Sequence, residues 1–203
     1  MREVAPTRSA AIALADERKL IRQGYDFLDE KRTLLASEML RQLKVYQARS
    51  VALMAATQAA AEALASALER HGLDQLQAYP APAAPDIADP QRSLFLGLAM
   101  LTAAEAAGSN GDNPPAIDAS PEAKACRAAF ETLLALSADV ALRAGNLNRL
   151  AREYRRTERR AQALEKVLLP EVAEAIKHVN EQLDTMEREE TIRTRWSSQS
   201  QNQ

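Results

Sequence analysis

The stretch LNRLAREYRRTERRAQALEKVL (residues 147–168) decides the fold. Leu147, Leu150, Tyr154, Ala161, Leu164 and Leu168 recur at intervals of three, four or seven, with arginines crowded between them. That alternation is the a/d seam of a left-handed coiled coil. Upstream, Leu136 and Val140 belong to the same seam; downstream it continues at Val172, Ile176, Val179, Leu183 and Met186. From Leu164 to Ile176 the intervals run four, four, four. This is a stutter, which locally unwinds a supercoil. It coincides with Pro170, whose missing N–H predicts a kink.

A seam needs a partner, and the N-terminal part of the chain supplies one. Leu14, Ile21, Leu28 and Leu35 recur every seven residues, with Tyr25 and Met39 interleaved. Neither glycine nor proline interrupts Tyr25 to His71. A helix starting near Thr7 or Ser9 and closed by Gly72 as C′ is expected over residues 1–72. Ser120-Pro121-Glu122 is a cap followed by proline at the first helical position, so a second helix is expected over 121–193. Each would be roughly 90–110 Å long. Seven of the nine prolines fall between Pro80 and Pro121, marking residues 73–120 as an irregular middle. It contains one apolar run, LFLGLAML (94–101), which can form a short helix or a β-hairpin; periodicity does not decide. NGDNPP (110–115) reads as a loop, and 194–203 as a flexible polar tail. Alanines dominate residues 50–70 and permit close helix approach. The expected fold is all-α: a long antiparallel two-helix coiled coil, or helical hairpin.

Composition agrees. Hydrophobic residues reach 46%, but only 4% are aromatic and 27% are charged, so the chain can bury a seam rather than a wide core. The net charge of -2 conceals a strong unevenness. Residues 143–170 hold eight Lys/Arg against three Asp/Glu, whereas residues 50–142 hold four against eleven. That distribution argues against a general nucleic-acid binder and leaves a local basic patch.

Catalytic chemistry finds no footing. There is no GxxxxGK[ST] or GxGxxG loop, so no cofactor is expected. Glu174 and His178 share a helical face, but a zinc site needs at least three protein ligands; a surface ion pair is expected. Cys126, the single cysteine, is expected to be a partly buried inert thiol. The start MREVAPTR lacks a signal peptide's apolar core, and no run of about 20 uninterrupted apolar residues offers a membrane span. The expected location is cytoplasmic, beside a membrane only through partners.

The strongest local signal is the basic run Arg149, Arg152, Arg155, Arg156, Arg159 and Arg160, offset there only by Glu153 and Glu158. In a hairpin this run is expected opposite residues 35–50, where Arg41, Lys44 and Arg49 add positive charge. Concentrated like charge gains a coiled coil nothing internally, so these nine residues form a candidate partner-binding belt. The plainer reading is a solvated face.

Several motifs together carry a family resemblance. PTRS (6–9) and GYDFLDEKR (24–32) resemble the N-terminal signature of the D subunit of V/A-type rotary ATPases. ERRAQALEKVLLP (158–170), LDTMEREE (183–190) and RTRW (193–196) resemble its C-terminal signatures, in the same order. Gln162 stands where the family usually has Asn, Thr33 where Asp is common, and residues 73–120 match no pattern. The resemblance implies a non-catalytic central-stalk rotor shaft. Its implied partners are the A and B subunits of the catalytic head, the F subunit of the stalk and the funnel-shaped C (or d) subunit, with no nucleic acid and no direct membrane insertion. It implies coupling of ATP hydrolysis or synthesis to proton or sodium transport. The alternative is a coiled-coil scaffold or chaperone that binds partners through a helical hairpin.

Overall fold

The computed structural model describes residues 5–77, 90–102 and 120–200. Its elements are α1 (Arg8–Gln77), β1 (Gln91–Phe95), β2 (Leu98–Thr102), α2 (Pro121–Ala163), a π-helical turn (Leu164–Leu168) and α3 (Leu169–Ser200). The NGDNPP segment and the last three residues lie outside the described residues. The final helix runs through Ser200 rather than ending near Arg193. The chain divides into two compact units, Met1–Leu34 with Tyr154–Gln203, and Leu35–Glu153.

In the first unit the beginning of α1 packs against the end of α2 and α3. Thr7 caps α1: its hydroxyl accepts the Ala10 N–H at 3.1 Å, satisfying one of the helix's free donors. The seam buries Leu14, Thr157, Ala161, Val172 and Val179. Val172 and Val179 are one heptad apart, but Ala161 and Val172 are eleven residues apart, so the heptad phase shifts between them. The structure absorbs it in the π turn, where the Leu169 N–H reaches back to the Leu164 carbonyl. Gly24 faces this turn; a Cβ there would lie 3.6 Å from Leu164 Cδ1. Arg8 and Glu187 join near the chain ends at 2.6 Å.

In the second unit the rest of α1 packs against most of α2, with the β-hairpin laid on them. Leu35, Ala60, Ala67, Val140 and Leu150 are buried. Ala60 and Ala67 sit one heptad apart, so the small residues of this stretch do serve close packing. α1 also contains an 18-residue window of mean hydropathy 1.4, of which 11% is buried. By length and composition alone this helix could cross a membrane, although it holds no uninterrupted apolar run of that length. Abundant alanine raises the average across interspersed polar residues, and one such helix is weak evidence for a span.

The apolar run folds as the hairpin, its strands antiparallel with Phe95 opposite Leu98 and Gln91 opposite Thr102. Leu96 and Gly97 form the connection, with φ of 49° and 82°. Two positive φ values in a two-residue loop match the right-handed twist of the strands, as in a type I′ turn. Met100 is buried beneath it.

The ends of α1 and α2 meet in this unit. Ser120 caps α2 by accepting the Ala123 N–H at 3.1 Å, and Pro121 opens the helix. His71 Nε2 lies 2.6 Å from the same hydroxyl. Arg70 donates to Glu122 at 2.8 Å. The Glu122 carboxyl is held below its ordinary range, first by its own backbone N–H and further by Arg70. Gly72 ends the long helical run as expected: its φ of 72° and ψ of 168° leave the helical path, and a separate short helical segment follows to Gln77.

Candidate partner-binding surface

α2 displays much of the basic run because seam residues claim one side of the helix. In the first unit Arg155, Arg156, Arg159 and Arg160 are exposed, while Thr157 between them and Ala161 just after them are buried. Arg152, in the second unit, is exposed as well. Among the described residues these five arginines form no ion pair within the chain. Their charges are therefore available to a partner and screened only by solvent.

The other predicted belt residues lie in the second unit, and most have internal roles. Arg41 donates from Nε and an η nitrogen to Glu38 at 2.7 and 2.6 Å, a bidentate pair. Gln42 donates to the same carboxylate at 2.8 Å. Arg41 above all, with help from Gln42, holds the Glu38 carboxyl below its usual range against the opposing effect of burial. Arg49 meets Asp139 at 3.3 Å, and Arg143 donates to the other oxygen of Asp139 at 2.9 Å. This pairing corrects the expected register: Arg49 lies beside residue 139 rather than beside the basic run. Helix lengths alone do not fix that register; seam packing and the shared Asp139 carboxylate do. Arg149 donates to Asn146 at 3.0 Å. Lys44 is exposed.

Sequence reasoning missed Asn146. This residue is buried, and its amide pairs with both polar groups of one strand residue. Its oxygen accepts the Leu101 N–H at 3.0 Å and its nitrogen donates to the Leu101 carbonyl at 2.6 Å. A single side chain thus acts as a short strand on the outer edge of β2. The available signal was an asparagine beside Gly145 inside a helical run, a poor helix former where alanine or leucine would serve the helix better. A cleft of about 310 Å³ lies between hairpin and helices, lined by Glu38, Arg41, Phe95, Met100, Asp139 and Asn146 among others.

Two smaller expectations resolve locally. The Gln182 amide donates to His178 Nε2 at 3.0 Å, so His178 is engaged one turn onward rather than with Glu174. Cys126 is half-buried, and burial raises its thiol pKa. Large apolar side chains stand exposed on both units, including Met54 and Leu94 in the second and Trp196 in the first.

Long helices paired along a heptad seam make this a coiled-coil protein. The chain belongs to the ATP synthase D-subunit family, whose family model matches residues 10–199. It is 28% identical over 193 residues to the V-type ATP synthase D subunit of Thermotoga neapolitana, covering 94% of each chain. The corresponding protein of Anaeromyxobacter dehalogenans is 28% identical over 201 residues, covering 96% of this chain and 95% of that one. A shorter match, 38% identical over 77 residues, joins 38% of this chain to 36% of the A-type ATP synthase D subunit of Thermococcus sibiricus.

Proposed function

We propose that this chain is the central-stalk shaft of a V/A-type rotary ATPase, coupling ATP hydrolysis or synthesis in a catalytic head to proton or sodium transport. The observation that carries this reading is the family match over residues 10–199, which takes in both long helical segments. The architecture suits the task. A shaft must resist twisting, and helices wound along a shared seam do so. It must also turn past successive head positions without sticking. Exposed charge–charge contacts are weak and screened, about 0–1 kcal/mol each, so they hold no single angle strongly.

The chain supplies no catalytic group to this reaction; nucleotide chemistry belongs to the head. Its partners are the A and B subunits of the head, the F subunit of the stalk and the funnel-shaped C (or d) subunit, within a membrane-associated complex. Arg152, Arg155, Arg156, Arg159 and Arg160 face acidic surface of the head as an electrostatic bearing; Arg41, Arg49 and Arg149 help shape the shaft itself.

Two measurements test this. The tagged chain expressed in its own cells should co-purify with A, B and F subunits; recovery without any of them refutes the shaft. Replacing the five free arginines by glutamine should lower ion pumping per ATP. Unchanged coupling over a range of salt would remove the bearing while leaving the shaft intact.

A further inference from the structure

Counting seam residues across the π turn shows a surplus of one. Leu150, Tyr154, Thr157, Ala161, Leu164 and Leu168 follow intervals of four, three, four, three and four. Val172, Ile176, Val179, Leu183 and Met186 follow four, three, four and three. Between Leu168 and Val172 the interval is four where the alternation calls for three. Skipping one residue there makes the entire run a single uninterrupted heptad series. The structure places its only π turn among the described residues at Leu164–Leu168, immediately before this junction. A π turn takes up one residue more than an α turn, so the surplus in the pattern and the surplus in the backbone agree.

We infer that Leu164–Leu168 is a skip joint: a one-residue excess held as a π turn, at which the C-terminal helix can twist relative to the helix before it without unpacking the seam. Three observations support this. No residue of the turn is fully buried: Leu164 and Leu168 are half-buried and the three residues between them are exposed, so the seam is more lightly packed here than at Ala161 or Val172. Gly24 faces the turn with room to spare, since even an added Cβ would make only an ordinary contact with Leu164 at 3.6 Å. Pro170, two residues beyond Leu168, has no N–H, so the turn's carbonyls are short of one backbone donor. A regular α-helix would be locked at this point by its own hydrogen bonds. As a mechanical element the joint rests on the shaft reading above; as a skip it does not.

Proline alone could also impose a wide turn, and the test separates the two causes. Amide exchange is measured on the full chain in its assembled complex for three forms: parent, P170A, and P170A with Val167 deleted. Val167 is 58% exposed, and its removal brings Leu169 into the seam position of Leu168. The expected result is exchange at residues 168–172 at least tenfold faster than at residues 176–179 in the parent and in P170A. In the deletion form it falls to the flanking rate. Flanking rates in P170A alone would make proline the cause and overturn the skip, as would fast exchange that survives the deletion. For the mechanical role, the deletion form should assemble and hydrolyse ATP while pumping ions at least twofold more slowly. Undiminished pumping overturns the joint's role in rotation. Absence of the head subunits from the purified parent complex overturns the shaft reading instead.

Discussion

Replacing Asn146 with alanine should loosen the hairpin while leaving the paired helices as stable as before, or more so. Asn146 is 3% exposed, and its amide is the partner of both the Leu101 N–H and the Leu101 carbonyl. N146A leaves those two backbone groups without that partner. At about 1 kcal/mol net for each bond, docking of the hairpin weakens by about 2 kcal/mol. The helix gains in the opposite direction, because alanine favours helix over asparagine by about 0.5 kcal/mol. Amide exchange separates the two effects. The Leu101 amide should exchange about 30-fold faster, since each 1.4 kcal/mol is tenfold. The Val140 and Leu150 amides, in the core of α2, should exchange no faster than in the parent. Exchange at Leu101 within threefold of the parent would refute the docking role. Equal acceleration at Leu101 and Val140 would refute the separation of hairpin from helices.

Four further outcomes follow from the same geometry. L96N should stabilise the hairpin by about 1 kcal/mol, because Leu96 holds a φ of 49° that asparagine tolerates better, and Leu101 exchange should slow accordingly. S120A removes the cap on α2 and should lower stability by about 1 kcal/mol in chemical denaturation. G24A should raise stability by up to about 1 kcal/mol, since the new Cβ makes only an ordinary contact with Leu164 and alanine is the better helix former; a lower melting temperature would show the site to be tighter than described. Glu38 has a folded pKa lowered by Arg41, so its stabilisation is present above the ordinary carboxylate pKa and is lost as pH falls through the lowered value. With Arg41 largely exposed the effect is about 0.5 kcal/mol, and E38Q should lose correspondingly less stability than the parent between pH 7 and pH 3.

The features legible in the sequence are those set by local chemistry or by period. Leu35, Val140, Leu150 and Ala161 could be assigned to the seam because heptad spacing fixes which side of a helix they occupy. Thr7 and Ser120 could be read as caps because a hydroxyl before a helical run has one obvious use. Features set by pairing in space were not legible. Nothing local announces that Arg49 will meet Asp139, and so the height of the basic run against α1 was misjudged. Thr157 is buried in the seam although its hydroxyl marks it as surface. The hairpin stayed ambiguous because its turn is Leu-Gly rather than Asn-Gly, and leucine at positive φ is not a pattern a reader looks for. Of the candidate belt, the five arginines from Arg152 to Arg160 are exposed, while Arg41 and Arg149 pair with residues one turn away on their own helices and only Arg49 meets a partner, Asp139, that the folded chain brings near.

The ends of α1 and α2 are fastened by side chains: Arg70 to Glu122, and His71 to the hydroxyl of Ser120. The polypeptide between them is therefore not what holds the two helices at this end. These two contacts form a clasp. Doubling the length of a flexible loop costs only about 0.6 kcal/mol of closure entropy, less than the clasp can return through one capped helix and one ion pair. Lengthening the connection should therefore cost little stability while the clasp and the hairpin's anchor at Asn146 remain. An engineer wishing to attach a probe to this protein would lengthen the chain here first.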